Sequence, residues 1–343
     1  MNVSGSAPFG NDYIPHPHLH PHPRLHTADI GIFKSTILPS FTLHTTLDIA
    51  AFIASKATDR AEIKDWCWPS SQVINAWWSA IGHQVYYHNI SPQTAWSTLS
   101  WTEKVLLTCV TVWGTRLFTR IASRTITRGK DDPRYDQLKK EDPNGFWTSA
   151  LLKQYLPEAA FLTLIALPFT VPFRLTSSTL SLDGDVQSAV RAIGVALFGA
   201  GFALEVMADA QLELHRQERT DLCKHGVWSI VRHPNYLGDT LVHISFAVLN
   251  VANNFNPIVL LGPLTNYFFL RFVGGDRQTE ASQETRYRTE DLHKYEQLQS
   301  WRREKNSFWP GFTEVVNPWT WVVLGAGVLG VVVEEGIRGW LTQ

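Results

Sequence analysis

The densest set of groups able to do chemistry lies at residues 226–239, which read Gly-Val-Trp-Ser-Ile-Val-Arg-His-Pro-Asn-Tyr-Leu-Gly-Asp. Pro234 pushes His233 out of helical geometry and can itself open a helix, since its missing N–H costs nothing in a first turn. Asn235 and Asp239, four apart, then project from one face of that helix. Arg232 and His233 sit at its mouth, where the helix dipole favours anions. An amide, a carboxylate and two such donors suit ribose hydroxyls, a carboxamide and phosphates. A second set precedes it. Glu205, Asp209 and Arg216 stand at steps of four and seven, on one face of a helix that continues an apolar run over 190–207. Carboxylates turned toward lipid would penalise that helix, so they are expected to face the bundle interior or a wet cavity, or else to close an internal ion pair between Asp209 and an arginine. Arg116, Arg120, Arg124 and Arg128 form a third set, a stripe at steps of four that could either meet phosphates or snorkel to headgroups.

These sets need elements to hold them. Apolar helical segments recur at about 30–54, 73–87, 104–119, 157–173, 190–207, 239–250, 257–273 and 318–333, and the expected fold is all-α, a polytopic transmembrane bundle of six to eight spans. Several segments are shorter than the ~20 residues of an upright span, so tilt or flanking amphipathic turns must complete them. Three polar blocks, 120–153, 209–236 and 274–309, emerge on one side if spans alternate in direction. Eight Lys or Arg against three Asp between Arg116 and Lys140 assign that side to the cytosol. The chain is read as a His/Pro-rich tail over 1–28, expected to be disordered, followed by one membrane-embedded helical domain over 29–343. The N-terminus lacks the basic-then-apolar order of a signal peptide.

Composition narrows the function classes. A formal charge of −1 gives no general pull toward nucleic acid. Three widely spaced cysteines without a CxxC pair read as free thiols rather than as a disulfide framework or a zinc ribbon, and no metal is expected. Fourteen Trp and 18 Phe with only 18% charged residues favour a membrane, although the mean hydropathy is −0.10. Residues 325–330 match GxGxxG but lie in an apolar span without a βαβ unit, so they read as close helix packing through small residues and not as a dinucleotide fingerprint.

With these motifs quoted, the chain resembles the DUF1295 family, within the superfamily of the steroid 5-alpha-reductase C-terminal domain and the sterol C14 and C7 reductases. The likeness covers about 106–312. It runs through Trp113-Gly114-Thr115-Arg116-Leu117, Asp132-Pro133-Arg134-Tyr135, Glu205-x-x-x-Asp209-x-Gln211 and the Arg232 to Asp239 motif. The resemblance implies a helix bundle holding NADPH in a cytosol-facing cavity, in the endoplasmic reticulum membrane, and reducing a carbon–carbon double bond of a sterol-like or other lipid. By that resemblance Glu205, Asp209, Arg216, Asn235 and Asp239 would hold NADPH, with Arg232, His233 and Tyr236 nearby and Arg286 and Tyr295 completing the site ahead of Phe308-Trp309-Pro310. Steroid 5-alpha-reductases place a tyrosine proton donor where this chain has Trp113. Indole is not a useful acid, so the proton is assigned to Tyr135 or to a carboxylate-held water. Two other classes compete with this reading. One is an S-adenosylmethionine-dependent membrane methyltransferase, for which Glu280 and Glu284 stand apart where a Glu-Glu pair is expected; the other is a non-catalytic lipid-binding protein that has lost its donor.

Overall fold

The computed structural model describes residues 30–175, 182–218, 221–253 and 255–341. The His/Pro-rich tail therefore falls outside the described residues. Among these residues there is no strand, and the main helices are α1 (Phe33–Thr58), α2 (Lys64–Trp77), α3 (Trp101–Arg128), α4 (Pro133–Glu141), α5 (Leu156–Ile165), α6 (Gly184–Glu218), α7 (Pro234–Val251), α8 (Leu261–Phe268), α9 (Asp276–Glu290), α10 (Leu292–Glu304) and α11 (Pro318–Leu341). Local chemistry explains several of their starts. Ser100 and Glu103 close a reciprocal capping box on α3, while Asp132 caps α4 ahead of Pro133, and α7 opens on Pro234.

Five helical stretches are long and apolar enough to cross a membrane: α1, α3, α6, the Pro257–Glu290 stretch that contains α8 and α9, and α11. The protein is an all-α, multi-pass membrane bundle. The expected count of six to eight also included segments at 73–87, 157–173 and 239–250. Part of the reason they fall short is local: Ala166 ends α5, and Pro168 and Pro172 fall in the short turns that follow. α7 lies largely inside the bundle and keeps polar residues there, with His243, Ser245 and Asn250 buried.

The distribution of polarity is inverted relative to a water-soluble bundle. On α1 the apolar Phe33, Phe41, Ile49 and Ile53 are exposed, whereas Ser40, His44 and Asp48 are buried against α2. There His44 Nδ1 lies 3.0 Å from Ser71 Oγ and its Nε2 3.1 Å from Asn75 Nδ2. α11 likewise turns Trp321, Leu324, Val328 and Val332 outward. Lipid is as apolar as these side chains, so polar groups gain most by meeting one another inside.

α6 packs between α7 and α11, α7 against α8, α8 against α5, and α5 against α1, which leads through α2 to α3; α3 closes the circuit by touching α6 and α7. Two of these contacts need glycine. A Cβ on Gly201 would fall 2.7 Å from the Gly238 carbonyl oxygen and one on Gly238 2.6 Å from that of Gly201, so α6 and α7 cross with their backbones nearly touching. A Cβ on Gly327 would meet Ala196 O at 2.6 Å, which gives that glycine the packing role read from sequence, whereas Gly325 faces open space.

Candidate functional site

The α6/α7 crossing sets Glu205 beside Gly238 and hence beside Asp239, and α3 covers both. Asp239 is buried. Trp113 Nε1, fully enclosed, donates to its Oδ1 at 3.1 Å, and Asn266 Nδ2 of α8 donates to its Oδ2 at 3.0 Å. The Trp113 ring meets His243 edge-on at 4.9 Å, and His243 Nδ1 turns back to the Asp239 carbonyl at 3.0 Å. The indole that replaces the expected tyrosine thus orients a carboxylate.

One turn further along α6, Arg116 binds both acids. Its Nη1 donates to Glu205 Oε1 at 2.6 Å, and its Nη2 donates to Asp209. Arg120 continues the ladder with Glu213 Oε2 at 3.2 Å. The ion pair offered as the alternative for Asp209 is therefore the one the fold makes. Glu205 Oε2, Asn235 Oδ1 and Asn266 Oδ1 are buried acceptors with no partner among the described residues. At the outer end of α6, Arg216 is exposed, with Arg120, Arg124 and the buried Tyr287 among its electrostatic neighbours.

The first half of the 226–239 motif behaves differently. Glu280 of α9 accepts Arg232 Nε and His233 Nε2 on Oε1 at 2.8 and 2.9 Å, and Arg232 Nη2 and Arg302 Nε on Oε2 at 3.0 and 2.9 Å. Arg302 also reaches Glu284 at 2.6 Å. Burial pulls the His233 imidazole below its ordinary value in spite of Glu280, so it stays neutral near pH 7 and donates one N–H. Tyr236 stacks on His233 at 5.3 Å, and its hydroxyl lies 3.2 Å from Thr279 Oγ1.

Tyr236 also faces a cavity of about 710 Å³ whose lining includes Tyr135, Asp65, Lys64, Trp68 and Phe269. Tyr135 donates to Asp65 Oδ1 at 2.7 Å, while Lys64 pairs with the buried Glu158. Burial first, and then the Asp65 carboxylate, hold the Tyr135 phenol well above its usual range, so it keeps its proton. Tyr236, on the cavity wall, precedes Asp239 by three residues on α7, roughly 4.5 Å of rise. All three polar blocks meet at this end of the bundle, through Tyr135, Tyr236 and Gln278 around the cavity and through the Arg120–Glu213 and Arg232–Glu280 pairs.

Residues 51–300 match the DUF1295 family, described as proteins of unknown function. The chain belongs to the DUF1295 family. The match begins well before the residue near 106 where the sequence likeness started, so in this DUF1295 protein it takes in the last two turns of α1 and all of α2. No curated protein and no solved structure matches the chain.

The structure brings Glu205, Asp209, Asn235 and Asp239 together and sets Tyr236 and Tyr135 on one cavity. Arg216 joins the arginine cluster. Arg232 and His233 turn to Glu280 instead, and Arg286 is exposed with its guanidinium over the Tyr287 ring at 5.0 Å. Tyr295 is half-buried on α10, and the tyrosine beside Arg216 is Tyr287. Sequence reading passed over Asn266, Arg302, Lys64, Asp65 and Glu158, and weighed Glu280 only against the pair expected of a methyltransferase. Glu280 had a further signal: an arginine at 232 with a histidine donor beside it in a span-flanking turn calls for an anion, and α9 offers Glu280 and Glu284 four apart.

Proposed function

We propose that this protein is a membrane-bound, NADPH-dependent reductase of a carbon–carbon double bond in a steroid-like or other lipid, resident in the endoplasmic reticulum. One observation carries the reading: Glu205 Oε2 and Asn266 Oδ1, beside Asp239, and Asn235 Oδ1, one turn before it on α7, are buried acceptors without a partner among the described residues, with an arginine cluster at the far end of α6. Such acceptors fit the hydroxyl and carboxamide donors of a nicotinamide nucleotide, and Arg120, Arg124 and Arg216 fit its phosphates. NADPH, when bound, supplies the hydride. The chain's own part is to orient and to protonate. Trp113 and Asn266 fix Asp239, Arg116 bonds Glu205 and Asp209 and aligns them, and Tyr135 keeps a proton at its Oη on the cavity wall beside Asp65, where a substrate carbonyl would compete for it. The apolar end of the cavity, Trp68, Phe161 and Phe269, suits a lipid skeleton.

The non-catalytic lipid-binding reading draws on Trp113, which spends its only donor on Asp239. Thermal unfolding of the detergent-solubilised protein with NADPH, NADH and S-adenosylmethionine separates these readings, because a ligand at 100 times its Kd adds about 2.7 kcal/mol. Stabilisation by NADPH that Arg216→Ala weakens about tenfold supports the reductase. Stabilisation by S-adenosylmethionine instead would make it a methyltransferase, and no response to any of the three favours lipid binding alone.

A further inference from the structure

Where α6 ends, His215, Cys223 and His225 gather, and one ligand atom from each lies within 4.8 Å of the others. His215 is 4% exposed and Cys223 5%, while His225 faces solvent. His215 Nε2 lies 2.9 Å from the backbone carbonyl of Asp221. A carbonyl only accepts, so Nε2 carries the proton and Nδ1 presents a lone pair. That Nδ1 is buried and has no hydrogen-bond partner among the described residues. The His215 and His225 ring centroids are 5.0 Å apart.

We propose that His215 Nδ1, Cys223 Sγ and a His225 ring nitrogen bind a divalent, borderline-soft metal ion of the zinc class. Two imidazoles and a thiolate are a zinc-type donor set, and three protein ligands leave one position for water. The Asp221 carbonyl acts as the partner that fixes a ligating histidine's tautomer. Tetrahedral bonds of about 2.1 Å to nitrogen and 2.3 Å to sulfur set ligand atoms roughly 3.3–3.8 Å apart, so closure needs a contraction of about 1 Å, available by rotating the exposed His225 ring. On binding, the thiol proton leaves to solvent and no redox change occurs. The ion would tie the end of α6, next to Arg216, to the turn that leads into the 226–239 motif.

The site is read by cobalt substitution in the full-length, detergent-solubilised protein after chelation. The expected result is a near-ultraviolet sulfur-to-cobalt charge-transfer band that saturates at about one equivalent and is displaced by zinc. Histidines of the N-terminal tail bind cobalt without sulfur and give no such band. Cys223→Ser should abolish the band. His225→Ala, at an exposed position and so safe for folding, should weaken cobalt binding at least tenfold while leaving the melting temperature of the metal-free protein unchanged. A wild-type protein without the band, or a band that survives Cys223→Ser, overturns the proposal.

Discussion

Glu280 and Glu205 are both buried glutamates serving one stretch of motif, and they end in opposite states. Glu280 takes two donors on each oxygen, which uses its accepting capacity. Glu205 takes Arg116 on Oε1 and nothing on Oε2, and the neighbouring Asn235 and Asn266 each keep an orphan acceptor. A saturated cluster has nothing left to offer a ligand, whereas an unsatisfied one holds desolvated acceptors whose cost a ligand can remove. The Arg232 to Asp239 motif is thus divided. Its first two residues secure the turn against α9 and α10, and Asn235 and Asp239 form the half that the proposed function gives to the cofactor.

The division can be broken from either side. Glu280→Ala strands Arg232 and part of Arg302 beside a buried vacancy, and we expect the largest loss, ~3–5 kcal/mol, seen as a drop in melting temperature; retention of wild-type stability would remove the structural role. Gly201→Val forces α6 and α7 apart at their crossing and should cost ~1–3 kcal/mol while abolishing NADPH-dependent stabilisation, both read in the same melts. Asn235→Ala, by contrast, should leave apo stability within about 0.5 kcal/mol and weaken NADPH at least tenfold, about 1.4 kcal/mol, by titration. If the apo protein melts much lower, Asn235 belongs with the structural half.

The smallest effect is a pH dependence at Asp132, the cap of α4 that carries Tyr135. Burial would raise this carboxyl, but the Arg134 guanidinium and N–H, with Arg128 Nη1 at 2.8 Å, overcome it and hold the group at about 2 against an ordinary 3.8. A depressed folded pKa contributes stability that is complete above the unfolded value and is lost as pH falls from about 4 toward 2. Acid unfolding of Asp132→Asn should lack that increment, and an unchanged acid limb would discount the cap.

Much of the fold was legible. Helical period, apolar length and aromatic content led to an all-α membrane bundle, and the GxGxxG decoy resolved as packing because its surroundings lacked a βαβ unit. Span count was less legible, since a helix lying mostly inside the bundle, such as α7, keeps polar residues that lower its hydropathy without lowering its burial. At the site, spacing alone put Glu205 with Asp209 and Asn235 with Asp239, because residues four apart on a helix share a face.

Sequence by itself determined which residues share a helix face, where helices begin, and that the chain lives in lipid and belongs with DUF1295. The first three follow from local spacing, capping and composition, the last from the resemblance its motifs carry. Only the tertiary structure decided which partner each charge takes: Trp113 meets Asp239 across 126 positions, Arg116 meets Glu205 across 89, and Arg232 meets Glu280 across 48. Those pairings depend on how closely two glycines let α6 and α7 approach, and on which helix covers them, and neither distance is written in the spacing of residues along one helix.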